Sequence, residues 1–126
     1  MKYFEIYNIA ELYEEHIKNS KKPYLPAKIN FILSQNFKEI LSIKKDIDKI
    51  REDIVKHYGV INSDGSYQIP SHYIEITQKE LDELSEMEAD IKNTFISLRE
   101  IENIEFTPGQ FQAIEWMINN TSEADF

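Results

Sequence analysis

Ile40, Ile43, Ile47, Ile50 and Ile54 follow one another at spacings of three, four, three and four, the repeat with which a helix lays one continuous apolar stripe against another helix. Ile29, Leu33 and Asn36 carry the same register backwards, so the pattern predicts one helix from Ala27 to about Tyr58, opened by Pro26, whose missing N–H costs nothing in a first turn. Its flanks, KKDIDKIREDIVK, alternate in sign as a solvated helix surface does. Phe37 and Leu41 lie off the stripe and widen it, which implies more than one neighbour.

A stripe this long needs cover of similar length. The expected cover is a second helix over residues 78–98, started by a Thr77/Glu80 capping signature and carrying Leu81, Leu84, Met87, Ile91 and Leu98 at helical spacing with Phe95 beside them. The two helices are expected to pack antiparallel. Between them, residues 56–70 read as a β-hairpin: Gly59 as a left-handed helix cap, then two short strands across Asn62-Ser63-Asp64-Gly65. Tyr58, Val60, Ile61, Tyr67, Ile69, Tyr73 and Ile74 are expected to form a small satellite core there; left exposed, they would be a docking surface.

At the ends of the chain, KYFEIY alternates as a short strand and IENIEF is its natural partner, since brief strands need one. Asn8 with Glu11 resembles a capping box launching a short helix through Ile9, Leu12, Tyr13 and Ile17. Thr107-Pro108-Gly109-Gln110 holds an N-cap, a first-turn Pro and a capping Gln, and predicts a short helix through Phe111, Ile114, Trp116, Met117 and Ile118. The expected fold is therefore α+β and mostly α: a long antiparallel helical hairpin tipped by a β-hairpin, with a short terminal sheet and a C-terminal helix. It is read as a single domain over 1–126, with 1–24 a strand-helix extension, 25–118 the body and 119–126 a frayed acidic tail.

Little in the chain points to chemistry. With no Cys there is neither a disulfide framework nor a thiolate metal site, and a reducing, cytoplasmic setting is expected. The opening MKYFEIYNIAELYEEH places acidic residues where a signal peptide needs its apolar core, and the Asn119-Asn120-Thr121 sequon is read as accidental. His16, His57 and His72 form no ligand pair at helical spacing. Glu83 with Glu86, or Glu86 with Asp90, has the spacing to share a divalent ion, but no third ligand completes a site, and a solvated acidic face is the simpler reading. The three Gly make no phosphate-cradling loop, and no nucleophile elbow occurs. No enzymatic activity and no cofactor or metal are expected. Charge is the one conspicuous property: residues 1–63 hold 11 Lys/Arg against 9 Asp/Glu, residues 64–126 hold 3 against 14. Such a field repels nucleic acid and favours basic partners, or simply keeps the protein soluble.

The order of an LPAK helix start, a long helix ending in Tyr58-Gly59, a DGSY hairpin, a second acidic helix and a closing IENIEFTPGQFQAIEWMI resembles a family of short uncharacterised proteins encoded by phages and prophages of low-GC Gram-positive bacteria. The resemblance covers Leu25 to Ile118 and implies a phage origin with no established catalytic activity, so it transfers no active-site residue. On it rests the expectation of an inhibitor, anti-CRISPR-like, acting in the cytoplasm of a bacterial host. Such an inhibitor would set an acidic face of Glu80, Glu83, Glu86, Asp90, Glu100, Glu102 and Glu105 into the basic groove of a host defence or nucleic-acid-handling protein, binding neither nucleic acid nor membrane. The alternative is a virion structural or assembly role acting through apolar stripes and through Tyr67, Tyr73 and Trp116, and a homodimer is a further expectation from the apolar seams.

Overall fold

A computed structural model describes residues 1–119. The chain is mostly helical with two small two-stranded sheets among these residues. Its axis is helix α2, Ala27–Tyr58, with the bounds its periodicity predicts. Ile29, Leu33, Asn36, Phe37 and Ile40 are buried along the first half of α2, whereas the second half has no buried residue.

The first neighbour of α2 is helix α1, Tyr3–Leu12, which runs on into a π-helical segment, Tyr13–Lys18. The expected KYFEIY strand is therefore absent, and with it the sheet to IENIEF. Six residues cannot separate a period of 2 from one of 3.6; over a longer window Ile6, Ile9, Ala10 and Ile17, all buried, recur at helical spacing. The cap lies at Lys2 rather than Asn8, because the Lys2 N–H donates to Glu5 Oε1 at 2.9 Å. Helix α1 lies antiparallel on α2. The Tyr3 hydroxyl accepts from Arg51 at 3.2 Å, the Lys44 ammonium sits 4.8 Å above the Tyr7 ring, and Tyr13 stacks on Phe37 at 4.5 Å.

The hairpin forms as expected, strand β1 (Val60–Ile61) pairing antiparallel with β2 (Tyr67–Gln68) in the register Val60↔Gln68 and Ile61↔Tyr67. Gly59 is not a left-handed cap, however. Its backbone is extended (φ −91°, ψ 162°), and Gly is needed there because a Cβ would stand 2.6 Å from the Val55 carbonyl oxygen. The left-handed residue is Gly65, φ 89°, in the turn. The expected satellite core is likewise overturned: Val60, Ile61, Tyr67, Tyr73 and Ile74 are all exposed, leaving only Tyr58 and Ile69 half-buried. A two-stranded ribbon on two helices has no third layer to cover it.

Helix α3, Ile74–Glu86, contacts α2 but is far shorter than the 78–98 helix expected. Thr77 is no cap; it is buried inside α3 and its hydroxyl donates to the Tyr73 carbonyl at 2.7 Å. After Glu86 the chain is drawn out by hydrogen bonds that no local pattern announces. Met1 and Ala89 exchange backbone bonds at 2.8 and 3.0 Å, flanked by a Lys2↔Glu88 bridge. Further on, the buried Asn36 amide grips Thr94 at both backbone groups, 2.8 Å from its oxygen and 2.9 Å from its nitrogen. The one polar residue in the α2 register thus holds an extended segment where a helix was expected.

The terminal sheet exists with different members: β3, Ile96–Ser97, pairs in parallel with β4, Ile118–Asn119. Helix α4, Leu98–Ile101, is one turn capped by Ser97 and Glu100. Helix α5, Pro108–Ile114, begins with the Thr107/Gln110 capping box as predicted and continues as a 3-10 turn, Glu115–Met117. Ile6, Ile40, Ile96, Ile114 and Met117 are wholly buried where these elements meet. Gly109 lets α5 approach the π segment, since a Cβ there would overlap the His16 ring. The expected fraying beyond residue 119 lies outside the described residues.

Candidate interaction surfaces

Helix α3 sorts its side chains by angle. Thr77, Leu81 and Leu84 turn toward the body and are buried or half-buried, while at 100° per residue Glu75, Asp82, Glu83 and Glu86 fall on the opposite side, all exposed, with Lys79 the one cation among them. Ile74, 55% exposed, borders this ridge on one flank and Ile76, 44% exposed, on the other. A shallow open groove runs along it between Ile74 and Glu86.

The seven acidic residues singled out from the sequence do not share one face. Glu80 points inward, and hydrogen bonding to its carboxylate is the main cause holding the neighbouring Tyr58 phenol above its ordinary pKa. Glu83 is on the ridge. Glu86 is also there but is bound to Lys2 Nζ at 3.0 Å, an ion pair that raises the lysine pKa. Asp90 is exposed off the helix, in the extended segment, so its i, i+4 relation to Glu86 is lost. Glu100 pairs with Lys28 Nζ at 3.0 Å, and hydrogen bonding to that lysine holds its carboxyl below the usual range; Glu102 and Glu105 are exposed just after it. Lys28 and Tyr58 mark the two ends of α2, roughly 45 Å apart by helix rise. Glu80–Glu86 and Glu100–Glu105 therefore form two separate groups. Glu75, not singled out from the sequence, belongs to the first; the helical angle to Asp82 and Glu86 was the signal for it.

Of the three aromatic candidates, Trp116 is half-buried in its own fold, its Nε1 donating to the Ala113 carbonyl at 2.9 Å and its ring edge-on to Phe37. Tyr67 and Tyr73 are exposed at the hairpin end, where Tyr73 leans on Tyr58 with ring centroids 5.5 Å apart. His57 meets Tyr58 edge-on and His72 lies tilted against Tyr73. Among the described residues no group of three or more His, Asp or Glu is placed to hold a metal ion, and no helix is long and apolar enough to cross a membrane. No family model, curated protein or solved structure matches the chain.

Proposed function

We propose that this protein acts without catalysis, as a phage-encoded inhibitor that sets the acidic ridge of α3 into the basic groove of a host defence or nucleic-acid-handling protein. The observation that carries this reading is the ridge itself: Glu75, Asp82, Glu83 and Glu86 exposed on one side of a thirteen-residue helix, opposite the side that packs. Closely spaced carboxylates on a rigid rod imitate the charge spacing of a nucleic-acid backbone and steer a basic partner from a distance. Glu100, Glu102 and Glu105, at the other end of α2, are outside this contact.

The test is capture by the tagged protein from nuclease-treated lysate of phage-infected host cells, at low and high salt, beside the triple variant Glu75→Lys, Asp82→Lys, Glu83→Lys. These residues are exposed, so the variant keeps its fold, checked by its circular dichroism. The expected result is a host nucleic-acid-binding protein held at low salt, released at high salt and missed by the variant. Equal capture by the variant sinks the electrostatic reading. Phage structural proteins held at both salts would favour the second reading, a virion assembly role, to which the exposed Val60, Ile61, Tyr67 and Tyr73 lend support.

A further inference from the structure

The hairpin end combines three properties found together nowhere else among the described residues. Residues 57–74 contain a single carboxylate, Asp64, and no Lys or Arg. That carboxylate is turned inward on the turn, accepting from the Ser66 backbone N–H at 3.0 Å and its hydroxyl at 2.6 Å. The same stretch exposes large apolar side chains: Val60 is 59% exposed, Ile61 62%, Tyr67 38%, Tyr73 41% and Ile74 55%. Thirdly, β1 and β2 form a ribbon of two strands exposed at all four residues, with no third strand on either edge among the described residues. A two-stranded ribbon alone is marginal in water, and an unpaired strand edge is a template for another strand.

We propose that this end is the contact through which two copies of the chain associate, ribbon edge to ribbon edge across a twofold axis, making one four-stranded antiparallel sheet. The contact does not depend on the role assigned to the α3 ridge. Charge selects the occupant. Two chains of net charge −9 repel wherever their carboxylates meet, and the 57–74 end, with one inward-turned carboxylate and no Lys or Arg, is an apolar stretch where they can touch without desolvating like charges of either sign. A basic partner, conversely, finds nothing there to pair with. Twofold pairing through the β1 edge sets Ile61 beside its symmetry mate on one face of the sheet, with Tyr67, which faces Ile61 across the register, flanking it from β2. Each of the five exposed side chains leaves on the order of 100 Å² in water, so two ends together can bury at most roughly 1,000 Å², the size of a weak, transient contact with a Kd of about 1–100 μM.

Sedimentation equilibrium over a range spanning that Kd tests the proposal, with Ile61→Lys as the disrupting variant and Phe4→Lys as the control. Phe4 is 62% exposed on α1, away from the hairpin, so both substitutions leave the fold intact. The expected result is a monomer–dimer equilibrium that Ile61→Lys weakens about tenfold or more and Phe4→Lys leaves unchanged. Because the contact is uncharged it persists in about 1 M salt, where capture through the α3 ridge is lost, so the two proposals fail separately. Amide exchange at residues 60, 61, 67 and 68 slows as protein concentration rises. A monomer at every concentration, a dimer indifferent to Ile61→Lys, or hairpin amides indifferent to concentration each overturns the proposal.

Discussion

Residues 1–40 with 96–119 form one part of the molecule and residues 41–95 another, and the two use their apolar side chains in opposite ways. Among the described residues every buried hydrophobic one lies in the first part; the second contains one buried residue, Thr77. Yet the second part is not poor in apolar residues. Ile43 and Ile47 still pack against the core, but Ile54, Tyr58, Ile69, Leu81 and Leu84 stand apart from it. The difference is one of layers. The π segment, α5 and the β3–β4 pair gather at the first half of α2, and α1 runs along its middle from Phe37 to Arg51; beyond the start of α1, α2 is flanked by α3 and the ribbon. A helix buries a stripe only where something lies on both sides of it, so a uniform isoleucine repeat yields a core at one end of α2 and an open surface at the other.

Cavity formation measures that difference most directly. Ile40→Ala or Ile114→Ala, both fully buried, should cost about 2–5 kcal/mol. Ile50→Ala and Ile76→Ala, 48% and 44% exposed, should cost about 0.5 kcal/mol or less. Urea unfolding at low protein concentration reads both. Comparable losses in the two pairs would mean that residues 41–95 have a core of their own, and the division would be wrong. A smaller effect sharpens it within the first part: Gly109→Ala drives a methyl into the His16 ring and should cost about 1–3 kcal/mol. Adding His16→Ala should recover most of that loss, and a double-mutant cycle on melting data checks it.

The same division separates what was legible in the sequence from what was not. The bounds of α2, the 60–68 hairpin and the Thr107 cap of α5 were all readable, because each is fixed by signals within a few residues: a repeat, a turn with Gly at the left-handed position, a capping pair. KYFEIY was readable only over a longer window, whereas residues 87–95 and the β3–β4 pair were not readable at all. The conformations of these last two depend on Met1 meeting Ala89, Asn36 meeting Thr94 and Ile96 meeting Ile118, contacts between residues far apart in sequence. Met87 and Ile91 continue a helical pattern that these bonds override. The surfaces divide likewise. That the second half of the chain is acidic was plain from composition, and a helical angle would have added Glu75 to Glu83. That Glu86 is paired by Lys2, Glu100 by Lys28, and that Glu80 turns inward toward Tyr58, could come only from the packed structure.

The smallest effect compares the ion pairs of the two parts. Lys28–Glu100 joins the start of α2 to α4, whereas Lys56–Glu52, at 2.7 Å, lies within one helix of the open end. Both carboxyls are held below the ordinary 4.5, chiefly by hydrogen bonding to their lysines. A carboxyl depressed in the folded state contributes stability above its unfolded pKa and loses it as the pH falls through the lower folded value. Glu100→Gln should therefore lower the melting temperature near neutral pH, by about 3 °C or less given its partial exposure, and the difference from the parent protein should shrink below about pH 4.5 and vanish once both forms are protonated. Glu52→Gln should change less, since its pair ties together residues that the helix already holds. Paired thermal melts across that pH range decide between the two. A Glu100→Gln deficit that persists in acid would assign its role to the Ser97 cap rather than to charge, since it would mean that glutamine does not serve that cap as the protonated carboxyl does.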